Sequence, residues 1–321
     1  MKVDLRRIVR PFITCVVGTI LGSLLTLLPS LQSAPVRPVI AFIPRTSGTN
    51  FTEDMHRGAD AAAASQGYKI YWNAPTRSDD VDRQIRIAEG AVDRGAKAVI
   101  LGPTNPGGVT TLIDDFDRRK VPVVIVQTES PVPTSRYVTS VTPDQAEFGR
   151  IGALRIAKIL AGRGQVAIVG LNRGTPETLV RARIFTQAIA PYPGIEVVAQ
   201  SPGSVQTLEA EQSTREIMNS FPDLKAIFAV SADATQGALL ALQDTNRAHS
   251  IALVGCDRDL FLVQSMLAGK IDSLVAADGY RIGFLAVQAA LEGARGQRLP
   301  APQHVGAELL TKNHIVFIDN H

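Results

Sequence analysis

Short apolar runs alternate with segments of helical periodicity along almost the whole chain from residue 39 onward. Val39–Ile43 is the first such run, and its near lack of polar residues is typical of a strand buried on both faces of a parallel sheet. A loop rich in Pro, Ser and Gly follows, and Thr49 or Asn50 is suited to cap a helix that runs to about Ser65. The rest of the chain repeats this unit of strand, loop and helix.

This alternation predicts right-handed crossovers and a parallel sheet with helices on both faces. Gln127–Pro143, which is rich in Pro, Ser and Thr, interrupts the rhythm, and its composition indicates a crossing between two lobes. A second array of similar size follows, and Glu308–Leu310 is a candidate edge strand. The predicted fold class is therefore α/β, with two doubly wound parallel-sheet, Rossmann-like lobes and a ligand cleft between them.

Residues 1–34 have a different character. Basic residues precede the uncharged apolar run Phe12–Leu28, and small residues follow near Ser33 and Ala34, which is the pattern of a secretory signal peptide. The run is close to the lower limit for spanning a bilayer, about 17 residues, so an uncleaved N-terminal anchor is the alternative. We favour cleavage. Both alternatives predict a periplasmic location for the folded part of the chain.

Charge and cysteine content narrow the possible partners. Residues 1–34 hold four of the 33 basic and one of the 30 acidic residues, so 29 of each remain and the net charge of +3 belongs to that segment. A neutral body without basic runs argues against nucleic acid as a partner. Cys15 lies in the apolar run and Cys256 is alone in the body, so the mature chain has no intramolecular disulfide.

The sequence has few of the patterns that mark catalytic or metal sites. The five histidines are far apart, and none forms a pair with metal-ligand spacing. The sequence also has no nucleophile elbow of the Gly-x-Ser-x-Gly type and no phosphate-binding loop of the Gly-x-x-x-x-Gly-Lys type. We therefore expect no cofactor and no bound metal, and an enzyme would have to assemble its acid, base or nucleophile from residues with no local signature.

Polar residues at the ends of predicted strands are the remaining candidates for chemistry. Asp257 follows an apolar run and could accept hydrogen bonds from neighbouring ligand hydroxyls, while Asp259 is the better candidate for a helix cap. Arg181 and Arg183 lie on the same predicted helix, two residues apart, so at most one of them faces the cleft.

Several segments together carry a resemblance to a known family. In order and spacing, the body of the chain resembles the periplasmic sugar-binding proteins of the ribose/galactose type, which are type I periplasmic binding proteins and share their fold with the effector domain of the lactose-repressor family. The resemblance rests on Val39–Pro44 with Gly58–Ala63, on Gly95–Thr104, Val121–Val126, Phe221–Ala229 with Gly237–Leu242, and on Ile251–Asp257 and Gly279–Gly283.

This resemblance implies two lobes joined by three hinge crossings, a ligand enclosed by hinge closure, and no catalysis. The N-terminal lobe would comprise residues 38–141 plus 278–305, and the C-terminal lobe residues 142–277 plus 306–321. The family's ligand positions would fall, in this sequence, on Thr49, Asn50, Phe51, Gln127, Thr128, Arg181, Ser231, Asp257, and Ala277 or Asp278.

The sequence departs from the family pattern at three of these places. A sugar binder of this type usually has Asp, often with Arg, where Gln127 and Thr128 stand, an Asn-Asp pair where Ser231 and Ala232 stand, and Gln or Asn where Ala277 stands. An unpaired ligand hydroxyl costs about 1–3 kcal/mol. Either the ligand is not ribose-like, or it is less polar, or neighbouring residues substitute.

The sequence thus predicts a monomeric solute-binding protein that captures a sugar or sugar-like molecule and delivers it to an ABC permease. A ligand-sensing subunit for a membrane receptor kinase or chemoreceptor is the alternative, because it would share every residue argument. A regulator of the lactose-repressor type is disfavoured because residues 1–33 resemble an export segment and not a helix-turn-helix. A hydrolase that uses Asp257 and Asp259 would need measurable turnover.

Overall fold

The apolar runs form the strands of two six-stranded sheets. The structure, a computed structural model, describes residues 37–77, 79–202, 206–247 and 250–313. Each sheet has helices packed on its faces, as expected for doubly wound α/β lobes. The fold class predicted from the sequence is therefore confirmed.

The first sheet has the strand order β11-β5-β4-β3-β1-β2, and all of its neighbouring strands are parallel. Every residue of β3 and β4 is buried, because helices cover both faces at the centre of the sheet. Its strands are β1 (Val39–Ile43), β2 (Lys69–Trp72), β3 (Ala98–Leu101), β4 (Val123–Val126), β5 (Val138–Pro143) and β11 (Gln303–Val305).

The second sheet has the order β12-β10-β9-β8-β6-β7. Its strands pair in parallel except at one edge, where β12 runs antiparallel to β10. The edge strand expected at Glu308–Leu310 is therefore present. The strands are β6 (Arg163–Leu171), β7 (Gly194–Pro202), β8 (Leu224–Ala229), β9 (Ala252–Cys256), β10 (Ser273–Ala277) and β12 (Ala307–Thr311).

The helices divide between the two sheets. The first sheet is covered by α1 (Asn50–Ser65), α2 (Val81–Asp93), α3 (Thr110–Arg118) and α9 (Gly279–Ala294), and a short 3₁₀ turn, Gly107–Val109, precedes α3. The second sheet is covered by α4 (Gln145–Ile159), α5 (Pro176–Ile189), α6 (Thr207–Ser220), α7 (Ala232–Asp244) and α8 (Leu260–Leu267). We call each sheet with its helices a lobe, first and second in chain order.

The chain passes between the lobes at three places: from β5 to α4, from β10 to α9, and from β11 to β12. Within Gln127–Pro143, β5 pairs with β4 in the first sheet, so only the end of this segment leaves the first lobe. Strand β11 was missed, since it has only three residues and follows closely after Pro302.

Two predictions concern residues 1–34, the cleaved signal peptide and the uncleaved anchor, and both lie outside the described residues. Within the part of the chain that the structure describes, none of the helices has the length and apolar character needed to cross a membrane.

Candidate ligand-binding site

The carboxyl ends of the parallel strands in both sheets lead into the loops where the predicted site residues lie. Two of the three crossings, β5 to α4 and β11 to β12, are tied together by hydrogen bonds. Asp144 N donates to Val305 O at 2.8 Å, and Ala307 N donates to the Glu147 carboxylate at 2.9 Å. The first residues of α4 therefore hold the connection between β11 and β12.

Arg181 is the central charged residue among the loops at the carboxyl ends of the second lobe's strands, which we call the loop edge of that lobe. It lies on α5 and is only 6% exposed. Its Nε donates to Gln145 Oε1 at 2.8 Å, and its Nη1 donates to Val230 O at 2.9 Å. The guanidinium carbon lies 3.8 Å from the centre of the Phe148 ring, a cation–π contact. Within the described ranges Nη2 makes no hydrogen bond to an oxygen or nitrogen atom, and the guanidinium also lies beside the buried Cys256 thiol, whose pKa it acts to lower.

Asp257 lies beside Arg181, directly after β9. Its Oδ2 accepts a hydrogen bond from Ala232 N at 3.1 Å and lies 3.6 Å from Arg181 Nη1. Its backbone is in the left-handed region at φ +70, which Asp tolerates better than most residues and which is frequent at functional sites. The side chain is 40% exposed, and Oδ1 has no hydrogen-bond partner within the described ranges. Asp257 thus presents one carboxylate oxygen outward.

Three other predicted site residues cap helices. Thr49 forms a capping box with Thr52, Ser231 accepts a hydrogen bond from Ala234 N at 3.2 Å, and Asp278 accepts one from Arg281 N at 2.9 Å. Each cap fixes the start of a helix at the loop edge of a sheet. Asp259 is the cap of α8, as predicted, and accepts a hydrogen bond from Leu262 N at 2.9 Å.

Gln127 and Thr128 follow β4 in the first lobe. Gln127 has φ +71, and its Oε1 accepts a hydrogen bond from Arg45 N at 2.9 Å, which holds the loop after β1. Gly102 leaves the space for this side chain, since a Cβ at residue 102 would lie 2.0 Å from Gln127 Oε1. Thr128 is 9% exposed, and its hydroxyl makes no hydrogen bond to the described part of the chain.

Asn50 and Phe51 lie at the start of α1. Asn50 is exposed and its Nδ2 donates to Arg258 O at 3.4 Å, a contact between the lobes. Phe51 is half-buried and packs against the core of the first lobe, with its carbonyl against Gly279. The structure therefore brings Arg181, Asp257 and Ser231 together in one lobe, and Asn50 reaches the loop that follows Asp257.

Sequence reasoning missed Gln84, which organises the loops of the first lobe. The side chain is fully buried, and its Nε2 donates to Gly102 O at 2.8 Å and to Pro44 O at 3.3 Å. Its Oε1 accepts from the backbone N–H of Thr104 at 2.9 Å and from the hydroxyl at 3.2 Å. The available signal was a polar residue on the apolar face of α2, three residues after Val81.

Charged residues also join the two lobes across the space between their loop edges. Arg45 Nη1 lies 3.9 Å from Glu177 Oε1, and Arg258 pairs with Asp54. Arg45 and Asp54 belong to the first lobe, and Glu177 and Arg258 to the second. The structure is therefore of a closed arrangement, in which side chains from opposite lobes touch.

Burial raises the pKa of two groups near this site. Burial raises the pKa of Asp233, in the first turn of α7, and the nearby carboxylates of Asp257 and Asp259 act in the same direction against a hydrogen bond from Thr207. Burial also raises the pKa of the Cys256 thiol to about 12, so this thiol is neutral at physiological pH. In the described ranges, no group of three or more His, Cys, Asp or Glu side chains could hold a metal ion.

Comparison with known proteins places these features in a family. A model described as "periplasmic binding protein domain" matches residues 40–298. The ribose import binding protein of Haemophilus influenzae is 24% identical over 281 residues, which cover 88% of this chain and 94% of the relative. The D-ribose/D-allose-binding protein of Pseudomonas aeruginosa is 24% identical over 309 residues, with 92% and 93% covered.

Among solved structures, AraP, an arabinose-binding protein from Geobacillus stearothermophilus, superposes with a TM-score of 0.81. Its sequence identity is 22%, and the match covers 86% of this chain and 97% of that one. At this identity the likeness concerns the fold.

Proposed function

The chain belongs to the periplasmic binding protein family, and we propose that it captures a sugar or sugar-like molecule between its two lobes. The observation that carries this proposal is the pair of Arg181 and Asp257 at the loop edge of the second lobe. Within the described residues, Arg181 Nη2 and Asp257 Oδ1 make no hydrogen bond to a protein oxygen or nitrogen atom, while Arg181 Nε and Nη1 and Asp257 Oδ2 are held by the protein. A fixed donor beside a fixed acceptor suits adjacent hydroxyl groups of a polyol.

In this proposal, the first lobe supplies weaker, uncharged contacts. Gln127 Nε2 and the Thr128 hydroxyl would bond the ligand from the loop after β4, and Phe51 would give an apolar surface at the start of α1. Asn50 would lie at the rim, where it already contacts the second lobe. Thr49, Ser231 and Asp278 would act mainly by fixing the helix ends that shape the site.

Closure of the lobes links ligand binding to recognition by a membrane partner. A ligand that touches both lobes favours the closed state, and the closed surface is then presented to a membrane partner. We propose that this partner is an ABC permease, that the protein acts as a monomer in the periplasm, and that it catalyses no reaction. We also propose the lobe boundaries 38–141 plus 278–305 and 142–277 plus 306–321. The strand membership of the two sheets supports this division within the described residues, except that Thr142 and Pro143 belong to β5 of the first sheet.

A thermal-shift screen of the full chain tests this function. The panel contains D-ribose, D-allose, D-arabinose, xylitol and neutral amino sugars. At a ligand concentration of 100 times Kd, binding stabilises the native state by about 2.7 kcal/mol, so a true ligand raises Tm by several degrees. We expect at least one member to do so.

The matched variants are Arg181→Met and Arg155→Met. Arg155 forms a two-point ion pair with Asp272, also in the second lobe, but Asp272 lies before β10 and so at the opposite edge of the sheet. We expect Arg181→Met to abolish the sugar-dependent shift and Arg155→Met to retain it. No shift with any sugar or polyol, or conversion of the sugar into a product, would contradict the proposal.

A further inference from the structure

Arg258 follows Asp257 directly and its side chain leaves the second lobe. The guanidinium pairs with Asp54 on α1 of the first lobe, and Nη1 lies 3.5 Å from Glu308 on β12. The Arg258 carbonyl accepts a hydrogen bond from Asn50 Nδ2 of the first lobe at 3.4 Å. Both the backbone and the side chain of this residue therefore bridge the two lobes.

The ion pair is partly protected from water. The Asp54 side chain is 11% exposed and the Arg258 side chain 28%. Exposed ion pairs contribute little to stability, whereas partly buried ones are screened less by solvent and salt. Asp54 also pairs with Arg57 within α1, so its carboxylate is held in position by its own helix. The first lobe thus offers a preorganised anion to Arg258.

The adjacent residues Asp257 and Arg258 make different contacts: Asp257 lies beside Arg181 in the second lobe, and Arg258 pairs with the first lobe. The left-handed backbone of Asp257 lets its carboxylate remain beside Arg181, while the next side chain extends to the other lobe. The positive charge of the Arg258 guanidinium is already paired with the carboxylates of Asp54 and Glu308, so it does not depend on a ligand for a counter-charge.

We propose that the Arg258–Asp54 pair is a closure clamp, which stabilises the closed arrangement of the lobes before a ligand binds. The clamp lowers the free energy of closure and so raises ligand affinity without touching the ligand. Its effect on affinity rests on the proposed sugar-binding function, but its effect on closure does not. Arg258 and Asp54 are therefore positioning residues.

Small-angle X-ray scattering of the ligand-free full chain tests the clamp without any sugar. The parent is compared with Arg258→Ala and with Asp54→Asn, and Arg155→Ala is the control because its partner Asp272 lies in the same lobe. We expect both clamp variants to increase the radius of gyration and the control to leave it unchanged.

Affinity provides the second readout, with the sugar of the panel that gives the largest thermal shift. We expect Arg258→Ala and Asp54→Asn each to weaken binding by about tenfold, and the double variant to be no weaker than either single one. An equal radius of gyration for the parent and both clamp variants would overturn the clamp. If no sugar binds, the scattering result still decides the clamp, and the proposed function fails separately.

Discussion

Arg181 joins several parts of the second lobe through one guanidinium group. It donates hydrogen bonds to Gln145 of α4 and to Val230, directly after β8. It also lies over the ring of Phe148 and next to Asp257. A planar group with donors in a fixed fork can serve these partners at once, whereas a Lys ammonium is a point charge on a flexible stem. The geometry of the site therefore depends on Arg specifically, beyond its positive charge.

Arg181→Lys is predicted to lose both stability and ligand binding. Buried acceptors on Gln145 and Val230 would be left unpaired, at about 1–3 kcal/mol of the free energy of unfolding. Denaturant unfolding and a sugar titration measure the two losses. Arg155→Lys is the control and should bind sugar like the parent; a fully active Arg181→Lys variant would contradict the proposed role.

Two substitutions of Asp257 separate the contribution of its left-handed backbone to stability from the contribution of its carboxylate to ligand binding. Asp257→Asn retains a side chain that tolerates the left-handed backbone and an oxygen that accepts from Ala232 N, but it removes the negative charge beside the buried Arg181 guanidinium. We therefore expect a moderate loss of stability together with weaker sugar binding. Asp257→Ala should also lose about 1 kcal/mol or more of stability, because Ala is strained at φ +70. Denaturation and titration of both variants check this; equal stability of the two would show that the backbone conformation is not constrained.

The raised pKa of the buried Cys256 thiol predicts a specific pH dependence of the free energy of unfolding. The unfolded thiol ionises near its ordinary pKa of 9.0, while the buried thiol in the native state stays neutral up to about pH 12. Its contribution to stability is therefore fully present below pH 9 and is lost as pH rises through this window. Stability measured from pH 8 to 11 should fall more steeply for the parent than for Cys256→Ala. Parallel curves would contradict a shifted thiol.

At the scale of elements, the closest helix contact is between α1 and α9. Gly58 on α1 and Gly283 on α9 face the backbone of the other helix. A Cβ at residue 58 would lie 2.0 Å from Tyr280 O, and one at residue 283 would lie 2.0 Å from Met55 O. Both helices cover the first sheet. Phe51 lies in the first turn of α1, and Asp278 caps the start of α9. This packing therefore sets the position of one edge of the site.

Gly58→Ala and Gly90→Ala are predicted to change stability in opposite directions. Alanine at residue 58 must push α9 away, and overpacking of this kind costs about 1–3 kcal/mol. Gly90 lies in α2, where an added Cβ would meet only the end of the Arg94 side chain, at 3.2 Å, and no backbone atom. Replacement there should stabilise the helix by about 0.5–1 kcal/mol. Thermal unfolding of both variants is the measurement, and a neutral Gly58→Ala would contradict the close contact.

Element positions were predictable from the sequence where local chemistry determines them. The start of α1 follows from its Thr49 cap and β1 from its nearly uninterrupted apolar run, and both are found where they were expected. By contrast, the hydrogen bond between Arg45 and Gln127 joins residues 82 positions apart, and no local pattern encodes it. The contacts of Gln84 and Arg258 are likewise tertiary.

At the scale of the whole molecule, two lobes of similar design meet at charged and polar side chains. Arg45–Glu177, Arg258–Asp54 and the Asn50 hydrogen bond cross between them, and three chain crossings limit their relative movement. The sequence predicted this architecture because both arrays repeat one alternation of strand and helix. It did not predict which side chains cross, since that depends on how the lobes face each other.

Isothermal titration calorimetry of the full chain with the sugar panel tests the central claim most directly. The proposed function predicts that at least one sugar binds at one site per chain with a Kd of about 1 μM or tighter, equivalent to about −8.2 kcal/mol. Arg181→Met should abolish the heat of binding, and Arg155→Met should retain it. A folded parent that gives no heat with any sugar or polyol, or equal binding by both variants, would contradict the claim.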